Sequence, residues 1–373
     1  MISIQEINFP EKIKEFIDFP HDLYKGDPNY VPELFISQKD ILNPKKHPFF
    51  EHSKVQLYLA YNGNKIVGRI AAIRNNNHNA HKQTKDGFFG FFECVNDYAV
   101  AKLLFDTAAE WIKKEGLNNM LGPASFSTNE FFGWHIDAFD QPPMLAIAYN
   151  KSYYPEFANR YGFSKYTDHF AYYITTANVS QKPLGLSEAF EKRLAAKNVI
   201  IRKVNMKRFK EEAEKAHKVY NSAWDKNSGF VPMTYNEFMY LCNDMKTILE
   251  PDLCYVAEKD GEFIGFSFSF PDINQVLKDV KRGRLLPFGI FKLLFNRRKI
   301  NKVRVVVLGV IEGYRKLGIE AVFFAKAIAY AKKHHIVGAE ASLILENNEM
   351  MNKALLNINA HVYKTYRVYK FVL

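Results

Sequence analysis

Along the second half of the chain, segments with the hydrophobic pattern of strands alternate with segments that have the pattern of helices. Short apolar runs bounded by turn residues predict strands, at residues 199–204, 254–270 (a hairpin), 303–310 and 340–345. Apolar residues three and four positions apart predict helices, at residues 207–223, 235–245, 318–335 and 348–357. A tyrosine-rich strand follows to the end of the chain. Strands and helices in this order predict an α/β protein built on a mixed sheet.

The first half of the chain has the same order of elements. They are a strand near Ile2, a helix that ends near Tyr24, a hairpin at residues 55–73 and a strand at residues 87–95. The core helix of this half is predicted over residues 97–115, because Gly116 is a favoured stop signal.

Local matches indicate that the two halves are an internal repeat. The matched segments are residues 60–68 with 257–265, residues 166–172 with 363–369, and residues 111–114 with 330–333. The first two pairs are offset by 197 residues and the third by 219. The offsets predict an insertion at about residues 278–302, with a similar excess at residues 122–148 in the first half. We expect an N-terminal half over residues 1–175, a linker over residues 176–197 and a C-terminal half over residues 198–373.

The turn after the predicted strand at residues 303–310 has the chemistry of an anion site. It runs from Arg315 to Glu320, and a helix begins at Gly318. The unpaired N–H groups and the dipole of a helix N-terminus favour negative charge. Gly318 lets the backbone approach a phosphate, and Arg315 and Lys316 add positive charge. This layout suits the diphosphate of coenzyme A; a purely structural turn is the alternative.

This order of elements, with a glycine turn between the fourth strand and the third helix of the second half, resembles the GCN5-related N-acetyltransferase (GNAT) superfamily. The chain also resembles a bacterial family of tandem GNAT proteins whose substrates are poorly defined. The closer resemblance is carried by residues 87–93, 122–123, 148–150, 345–348 and 363–367. It implies two tandem GNAT-like halves, each an α+β mixed sheet that splays near its middle, where acyl-CoA enters. The resemblance covers nearly all of the second half and, more faintly, the first.

The resemblance implies that the second half binds acetyl-CoA or another acyl-CoA. The implied residues are Leu308, Val310, Arg315, Lys316, Leu317, Gly318 and Ile319. In the superfamily the turn ends in a small residue, whereas this chain has Glu320, whose carboxylate repels a diphosphate unless it turns outward. The equivalent residues 96–101 of the first half lack glycine, and Asp97 is placed to cap its own helix. We therefore expect the first half to complete the substrate cleft rather than to bind acyl-CoA.

Acyl transfer to an amine needs a neutral nucleophile, donors for the acyl carbonyl and an acid for the leaving thiolate. By the resemblance, backbone N–H groups near Val310 polarise the thioester carbonyl. We predict Glu346 as the general base, directly or through a water, with Asn347 beside it; the alternative is that one of them caps the next helix. The superfamily's acid tyrosine is replaced by Leu355, so Tyr366 on the last strand is the candidate acid, with ordinary packing as its alternative.

The excess in the first half carries polar residues that could line a pocket for a cationic amine. They are Asn129, Glu130, His135, Asp137 and Asp140. A structural loop is the alternative.

Composition narrows the class of protein. The 373 residues are 47% hydrophobic and 24% charged, as in an ordinary globular protein. Three cysteines without CxxC spacing argue against a disulfide framework and a zinc site, and we predict no metal. The N-terminus lacks the features of a signal peptide, and the longest apolar stretch is too short to cross a bilayer. We expect a cytoplasmic protein, with peripheral attachment to the inner membrane surface as an alternative.

The net charge of +11 favours anionic partners, and most of it lies in the insertion. Residues 278–302 hold nine basic residues and one acid, which flank the apolar residues 285–295. Three interpretations remain open: a helix packed between the halves, contact with an anionic membrane or a lipid substrate, and docking of an acidic protein such as an acyl carrier protein. Nucleic acid is disfavoured, because these aromatic residues do not form a stacking array.

Together these features predict an N-acyltransferase that moves an acetyl or longer acyl group from coenzyme A to an amine, with a lipid amine among the candidate acceptors. Two alternatives remain open. A non-catalytic GNAT-fold binding module is favoured by Glu320 and by the missing helix tyrosine. An aminoacyl-tRNA-dependent transferase would not need the glycine turn.

Overall fold

The strands of the protein follow the predicted order. The computed structural model describes residues 1–223 and 230–373. Its strands, β1 to β13 in chain order, are Ile2–Ile7, Lys54–Asn62, Lys65–Arg74, Asp86–Cys94, Asn119–Gly122, Trp134–His135, Ser164–Thr175, Val199–Lys203, Cys254–Lys259, Glu262–Pro271, Lys302–Val310, Gly338–Leu345 and His361–Val372.

A helix is present at each position where the sequence predicts one, and other helices were not predicted. In chain order, α1 to α12 are Ile13–Leu23, Phe35–Ile41, Asn76–Lys82, Tyr98–Lys114, Tyr154–Tyr161, Lys182–Ala195, Phe209–Ala223, Tyr235–Met245, Asn274–Leu277, Gly289–Asn296, Ile319–Lys333 and Glu349–Asn357. The two core helices α4 and α11 end at Lys114 and Lys333, which are 219 residues apart, the same offset as in the sequence repeat.

The chain divides into two compact units that do not follow the chain order. Unit 1 consists of residues 1–169, 274–298 and 364–373, and unit 2 consists of residues 170–273 and 299–363. The sequence division placed residues 278–302 and the last strand in the C-terminal half, whereas most of that insertion and the last ten residues belong to unit 1. The reason is strand pairing, since β13 extends the sheet of unit 1 by pairing antiparallel with β5.

Unit 1 is a mixed sheet with a hydrophobic core on each face. Its strands run in the order β1-β2-β3-β4-β5-β13, in which only β4 and β5 are parallel neighbours. Helix α4 covers one face, where Leu104, Phe105 and Ala108 are fully buried. Helix α1 covers the other face through Phe16 and Ile17. As predicted, Asp97 caps α4 by accepting a 2.9 Å hydrogen bond from the N–H of Ala99.

Unit 2 repeats this layering on strands β8-β9-β10-β11-β12. Helices α7 and α8 pack on one face with Val256, and α11 packs on the other with Ala257. Successive strand residues face opposite sides of a sheet, which explains how one strand serves both cores. The predicted linker at residues 176–197 contains helix α6, which packs along α11.

Candidate functional site

The central strands of unit 2 separate part of the way along their length. Strands β11 and β12 pair in parallel from Lys302 opposite Gly338 to Val305 opposite Ala341. Both strands then continue without this pairing, to Val310 and Leu345. We call this opening the unit 2 splay. Such an opening exposes backbone groups and side chains in the middle of a sheet, where they can contact a bound molecule.

Two backbone N–H groups of β11 face the splay. The N–H of Ile311 donates to the carbonyl of Ile264 on β10, and Val310 lies opposite Gly265. N–H groups alternate between the two sides of an antiparallel strand, so those of Leu308 and Val310 point away from β10. They are donors directed towards the side on which β12 diverges.

The walls of the splay are aliphatic and only partly covered. Val306, Val307 and Leu308 on β11 are half-buried, as are Leu343 and Ile344 on β12. Residues in the middle of a sheet between two helical layers are usually fully buried. Their partial exposure makes this opening suitable for an apolar chain.

The corresponding opening in unit 1 is filled by protein. Strands β4 and β5 stop pairing at Phe88 opposite Leu121, but every residue of β4 is buried. The chain after β5 takes the space: the N–H of Ala124 donates to the carbonyl of Phe89 over 2.8 Å, and the fully buried Phe126 stacks on Phe49. These contacts leave the unit 2 splay as the open one of the two.

The glycine turn of unit 2 has the predicted backbone form. Gly318 has a φ of 94° and stands at the N-cap of α11, whose first residue Ile319 is fully buried. Lys316 also has a positive φ of 70° and is exposed, and Leu317 is half-buried. The turn therefore presents one exposed cation at a helix N-terminus.

Arg315 is directed at protein rather than at solvent. Its Nε donates to the carbonyl of Val310 over 3.0 Å, and its Nη2 donates to the carbonyl of Ala223 over 2.8 Å. These bonds join the end of β11 to the end of α7. In this arrangement Arg315 braces the turn, and Lys316 is the cation that remains exposed for an anion.

Two other groups occupy the surroundings of Gly318. The ring of Phe190 on α6 covers its Cα, since a Cβ added there would lie 2.5 Å from Cδ1 of that ring. Glu320 is half-buried in the first turn of α11; burial raises the pKa of its carboxyl, and a hydrogen bond from its own backbone N–H opposes this rise. The splay therefore fits an acyl chain and its carbonyl, while the turn fits a diphosphate only in part.

The predicted base lies at the end of β12. Glu346 and Asn347 form the turn between β12 and α12, with Glu346 half-buried and Asn347 exposed. The helix cap is neither of them but Asn348, whose side chain accepts a hydrogen bond from the N–H of Met351. The capping alternative for Glu346 and Asn347 is therefore wrong.

Tyr366 lies in unit 1, whereas Glu346 and Asn347 lie in unit 2. It is 1% exposed and pairs with His135 between β13 and β6. Its surroundings are those of a packed core residue. Its role as an acid stays a prediction.

The polar residues of the first-half excess hold their own loop together. His135 is fully buried, its backbone N–H donates to Oδ1 of Asn150, and its ring nitrogens lie 2.9 and 3.2 Å from the carbonyls of Asp137 and Asn150. Burial lowers the pKa of His135 to about 4. The carboxylates of Asp137 and Glu130 accept hydrogen bonds from the backbone N–H groups of Thr365 and Ser127. These contacts favour the structural alternative over an amine pocket.

Sequence reasoning missed a buried polar cluster in unit 1. Glu93 on β4 accepts hydrogen bonds from the hydroxyls of Tyr24 (2.9 Å) and Tyr154 (2.7 Å), and burial raises the pKa of its carboxyl. Arg69, 6% exposed, stands opposite it in the ladder. The signal was a single acid at the end of the otherwise apolar segment 87–93, because a carboxylate in a buried strand requires dedicated partners.

Neither a metal-binding group nor a membrane-spanning helix is present in residues 1–223 and 230–373. No three side chains of His, Cys, Asp or Glu in these ranges are grouped so that they could hold a metal ion. No helix in the same ranges has the length and apolar character needed to cross a bilayer.

Two curated proteins are similar to this chain over nearly its whole length. It is 32% identical over 382 residues to the bacterial ceramide synthase of Caulobacter vibrioides, an alignment that covers 100% of this chain and 98% of that protein. It is 34% identical over 366 residues to protein YghO of Escherichia coli, covering 96% of this chain and 92% of that protein. No model of a protein family matches the sequence.

Solved structures with the same fold are GNAT proteins. A tandem GNAT protein from the clavulanic acid biosynthesis pathway has a TM-score of 0.58 and 10% identity, over 100% of this chain and 98% of that one. A GCN5-related N-acetyltransferase from Sphaerobacter thermophilus has a TM-score of 0.54 and 10% identity, over 100% and 95%. The predicted fold class, two tandem GNAT-like halves, is confirmed; at such identities the likeness shows the fold alone.

Proposed function

Because this chain belongs to one family with the bacterial ceramide synthase of Caulobacter vibrioides and protein YghO of Escherichia coli, we propose that it is an N-acyltransferase that joins a long acyl chain to the amino group of a long-chain amine. A ceramide is such an amide, formed from a fatty acid and a long-chain amino alcohol. The observation that carries the proposal is the open unit 2 splay, whose walls are aliphatic, in a chain that aligns with that synthase from end to end.

The donor in this proposal is an acyl-CoA, whose thioester supplies the activated acyl group. The N–H of Val310 holds the acyl carbonyl oxygen and stabilises the negative charge that develops on it. The N–H of Leu308 lies roughly 6.6 Å further back along the strand and is a donor for another polar group of the acyl-CoA. Val306 of β11 and Leu343 of β12, both half-buried, contact the acyl chain. The exposed Lys316 and the N-terminus of α11 are the groups suited to the diphosphate, provided that the carboxylate of Glu320 turns outward.

Glu346 acts as the general base in this proposal. The amine reaches the enzyme as an ammonium ion and must lose a proton before its nitrogen can attack the acyl carbon. As the C–N bond forms, the C–S bond breaks, and the attacking nitrogen gives up a second proton to become the amide. Coenzyme A leaves as a thiolate that takes up a proton. Glu346 is half-buried and directly follows β12, and in this proposal it accepts the amine proton directly or through a water.

Product analysis with defined substrates tests this function. The full chain is incubated with acyl-CoAs of two to sixteen carbons and with long-chain amino alcohols, and the amide is measured by mass spectrometry beside the released thiol. We expect amide from long acyl-CoAs and one free thiol for each amide. Thiol release without amide, or no turnover with any acyl-CoA, contradicts the proposal.

Two variants test the assignment of the base. Glu346→Gln keeps the shape of the side chain and removes its basicity, so kcat should fall by about 100-fold or more. Glu349→Gln is the matched control, because Glu349 is an exposed acid in the first turn of α12. Equal losses in both variants, or none in Glu346→Gln, remove Glu346 from the chemistry.

A non-catalytic binding module is the second candidate function. It is favoured by Phe190, which covers Gly318, and by Glu320, an acid in the first turn of α11. In that case no amide forms, and coenzyme A does not raise the melting temperature. Stabilisation by coenzyme A together with amide formation would exclude this candidate.

A further inference from the structure

The insertion of unit 1 carries a cluster of exposed apolar side chains. We call residues 285–296 the apolar tip; they include helix α10 and the loop before it. Six large side chains of the tip are between 39% and 78% exposed: Leu286, Phe288, Ile290, Phe291, Leu294 and Phe295. Exposed apolar residues that occur singly are normal, but a contiguous group of this size marks an interaction surface.

Helix α10 turns its apolar face to solvent, whereas an ordinary surface helix turns its apolar face to the core. A helix turns by about 100° per residue, so four of its apolar residues share one arc of about 140°: Ile290, Phe291, Leu294 and Phe295. The rings of Phe291 and Phe295 lie side by side, with centroids 6.5 Å apart. Lys292 falls on the opposite side of the helix and donates to the carbonyl of Asp279. The apolar face is therefore a single continuous stripe that points out of the protein.

The base of the insertion is firmly held, so this exposure is not a sign of a loose segment. The guanidinium of Arg284 makes two hydrogen bonds of 2.8 and 2.9 Å to the carboxylate of Asp18, and Arg282 pairs with Asp22. Gly283, with a φ of 61°, packs directly on the backbone of Glu33. These contacts fix the orientation in which the tip is presented.

Positive charge surrounds the tip. Arg282 and Arg284 form ion pairs within unit 1, but five basic residues among residues 278–298 are exposed: Lys278, Lys281, Lys292, Arg297 and Arg298. The exposed acid among residues 278–298 is Asp279. An apolar stripe with cationic flanks is complementary to a bilayer that has anionic head groups.

We propose that the apolar tip inserts into the interfacial layer of an anionic phospholipid membrane and holds the protein at its surface. An acidic protein partner would have to supply deep pockets for side chains such as Leu286 and Phe295, which are 77% and 78% exposed. A bilayer accepts such projecting side chains without a matching shape. The helix has eight residues, so it lies in the interface and does not cross the membrane. This proposal takes up the membrane alternative among the three that the sequence left open, and it does not depend on the proposed acyl transfer.

Vesicle flotation of the full chain tests the proposal. Phosphatidylcholine vesicles with and without about one third phosphatidylglycerol are compared at low and high salt. We expect recovery with the anionic vesicles to exceed recovery with neutral vesicles, and to fall as salt screens the cations. Phe291→Ser/Phe295→Ser should weaken binding by about tenfold or more, because two phenyl groups no longer leave water. The control Leu186→Ser/Ile200→Ser removes equally exposed apolar residues elsewhere and should bind as wild type does.

A charge variant and a depth probe complete the test. Arg297→Glu/Arg298→Glu should abolish the preference for anionic lipid, whereas Lys113→Glu/Lys114→Glu, a pair of exposed lysines on α4, should keep it. The emission of Phe288→Trp should shift to the blue with anionic vesicles and be quenched by brominated acyl chains. Wild-type binding by Phe291→Ser/Phe295→Ser, an unshifted Phe288→Trp, or retention on immobilised acyl carrier protein without vesicle binding overturns the proposal. None of these measurements uses the acyltransferase activity, so their failure leaves the proposed function standing.

Discussion

The ring of Phe190 lies against Gly318 on the side where any other residue would carry its Cβ, and Cδ1 of the ring is 2.5 Å from that position. The glycine is therefore required twice, once by its φ of 94° and once by the packing of α6 on the N-terminus of α11. The same contact shows why a sequence match to a phosphate-binding turn does not by itself establish a phosphate site. A helix from the preceding segment can use the small residue instead.

Substitution of Gly318 should be more damaging than the positive φ alone explains. Gly318→Ala introduces about 1 kcal/mol of backbone strain and a further 1–3 kcal/mol of overpacking against Phe190. Gly313→Ala is the matched control, since Gly313 has a φ of 92° and no neighbour within 4 Å of its missing Cβ. Urea denaturation should show the larger loss of stability for Gly318→Ala, and Phe190→Ala in the same chain should recover part of the difference. Equal losses in the two alanine variants would contradict this packing.

Removal of the acid at the start of α11 should strengthen coenzyme A binding. Glu320→Gln removes a negative charge beside the expected position of the diphosphate, so the dissociation constant should fall by about threefold to tenfold, equivalent to about 1 kcal/mol. Stability should change by less than about 1 kcal/mol, because an acid in a first helical turn contributes no more than that. Isothermal titration calorimetry measures the affinity, and Glu349→Gln on α12 should leave it unchanged. Weaker binding by Glu320→Gln would show that the carboxylate assists the site.

The buried His135 should make the protein less stable in acid. Its pKa falls from an ordinary value of 6.5 to about 4 on folding, so between these values the unfolded chain binds a proton that the folded chain does not. Its contribution is complete above pH 6.5 and is lost as the pH falls to about 4, to a total of roughly 3 kcal/mol. The difference in unfolding free energy between wild type and His135→Gln should shrink by that amount over this range. His361→Gln, a change at an exposed histidine, should show the same pH dependence of stability as wild type. If His135→Gln also loses stability in acid as wild type does, His135 is not the cause of that loss.

The ion pair between Arg367 and Asp168 should contribute more than an exposed pair. Nε and Nη2 of the arginine donate to the two carboxylate oxygens over 2.8 and 2.9 Å, and the aspartate side chain is only 9% exposed. A double-mutant cycle with Arg367→Met and Asp168→Asn should give a coupling of about 1–2 kcal/mol. The exposed pair of Lys102 and Asp106 on α4 is the comparison and should give less than about 0.5 kcal/mol. Similar values in the two cycles would show that burial adds nothing here.

Local sequence signals determined the elements of the fold and their order. The cap at Asp97 and the positive φ at Gly318 follow from side-chain chemistry within a few residues. The shared ends of α4 and α11 follow from a repeat that is visible in the residues themselves. These features are encoded locally, because backbone torsions and helix ends depend on neighbours in the chain.

Only the tertiary structure decided which groups meet. Three contacts join residues between about 60 and 130 positions apart: Phe190 with Gly318, Arg315 with the carbonyl of Ala223, and two tyrosines with Glu93. No spacing rule in the sequence selects such partners. The tertiary structure also decided that the last strand belongs to unit 1, through its pairing with β5. It decided as well that the apolar stripe on α10 is exposed, whereas the pattern of Phe and Leu was equally compatible with a buried helix. An apolar pattern shows which side chains share a face of a helix, but only the packing of the whole chain determines whether that face is covered.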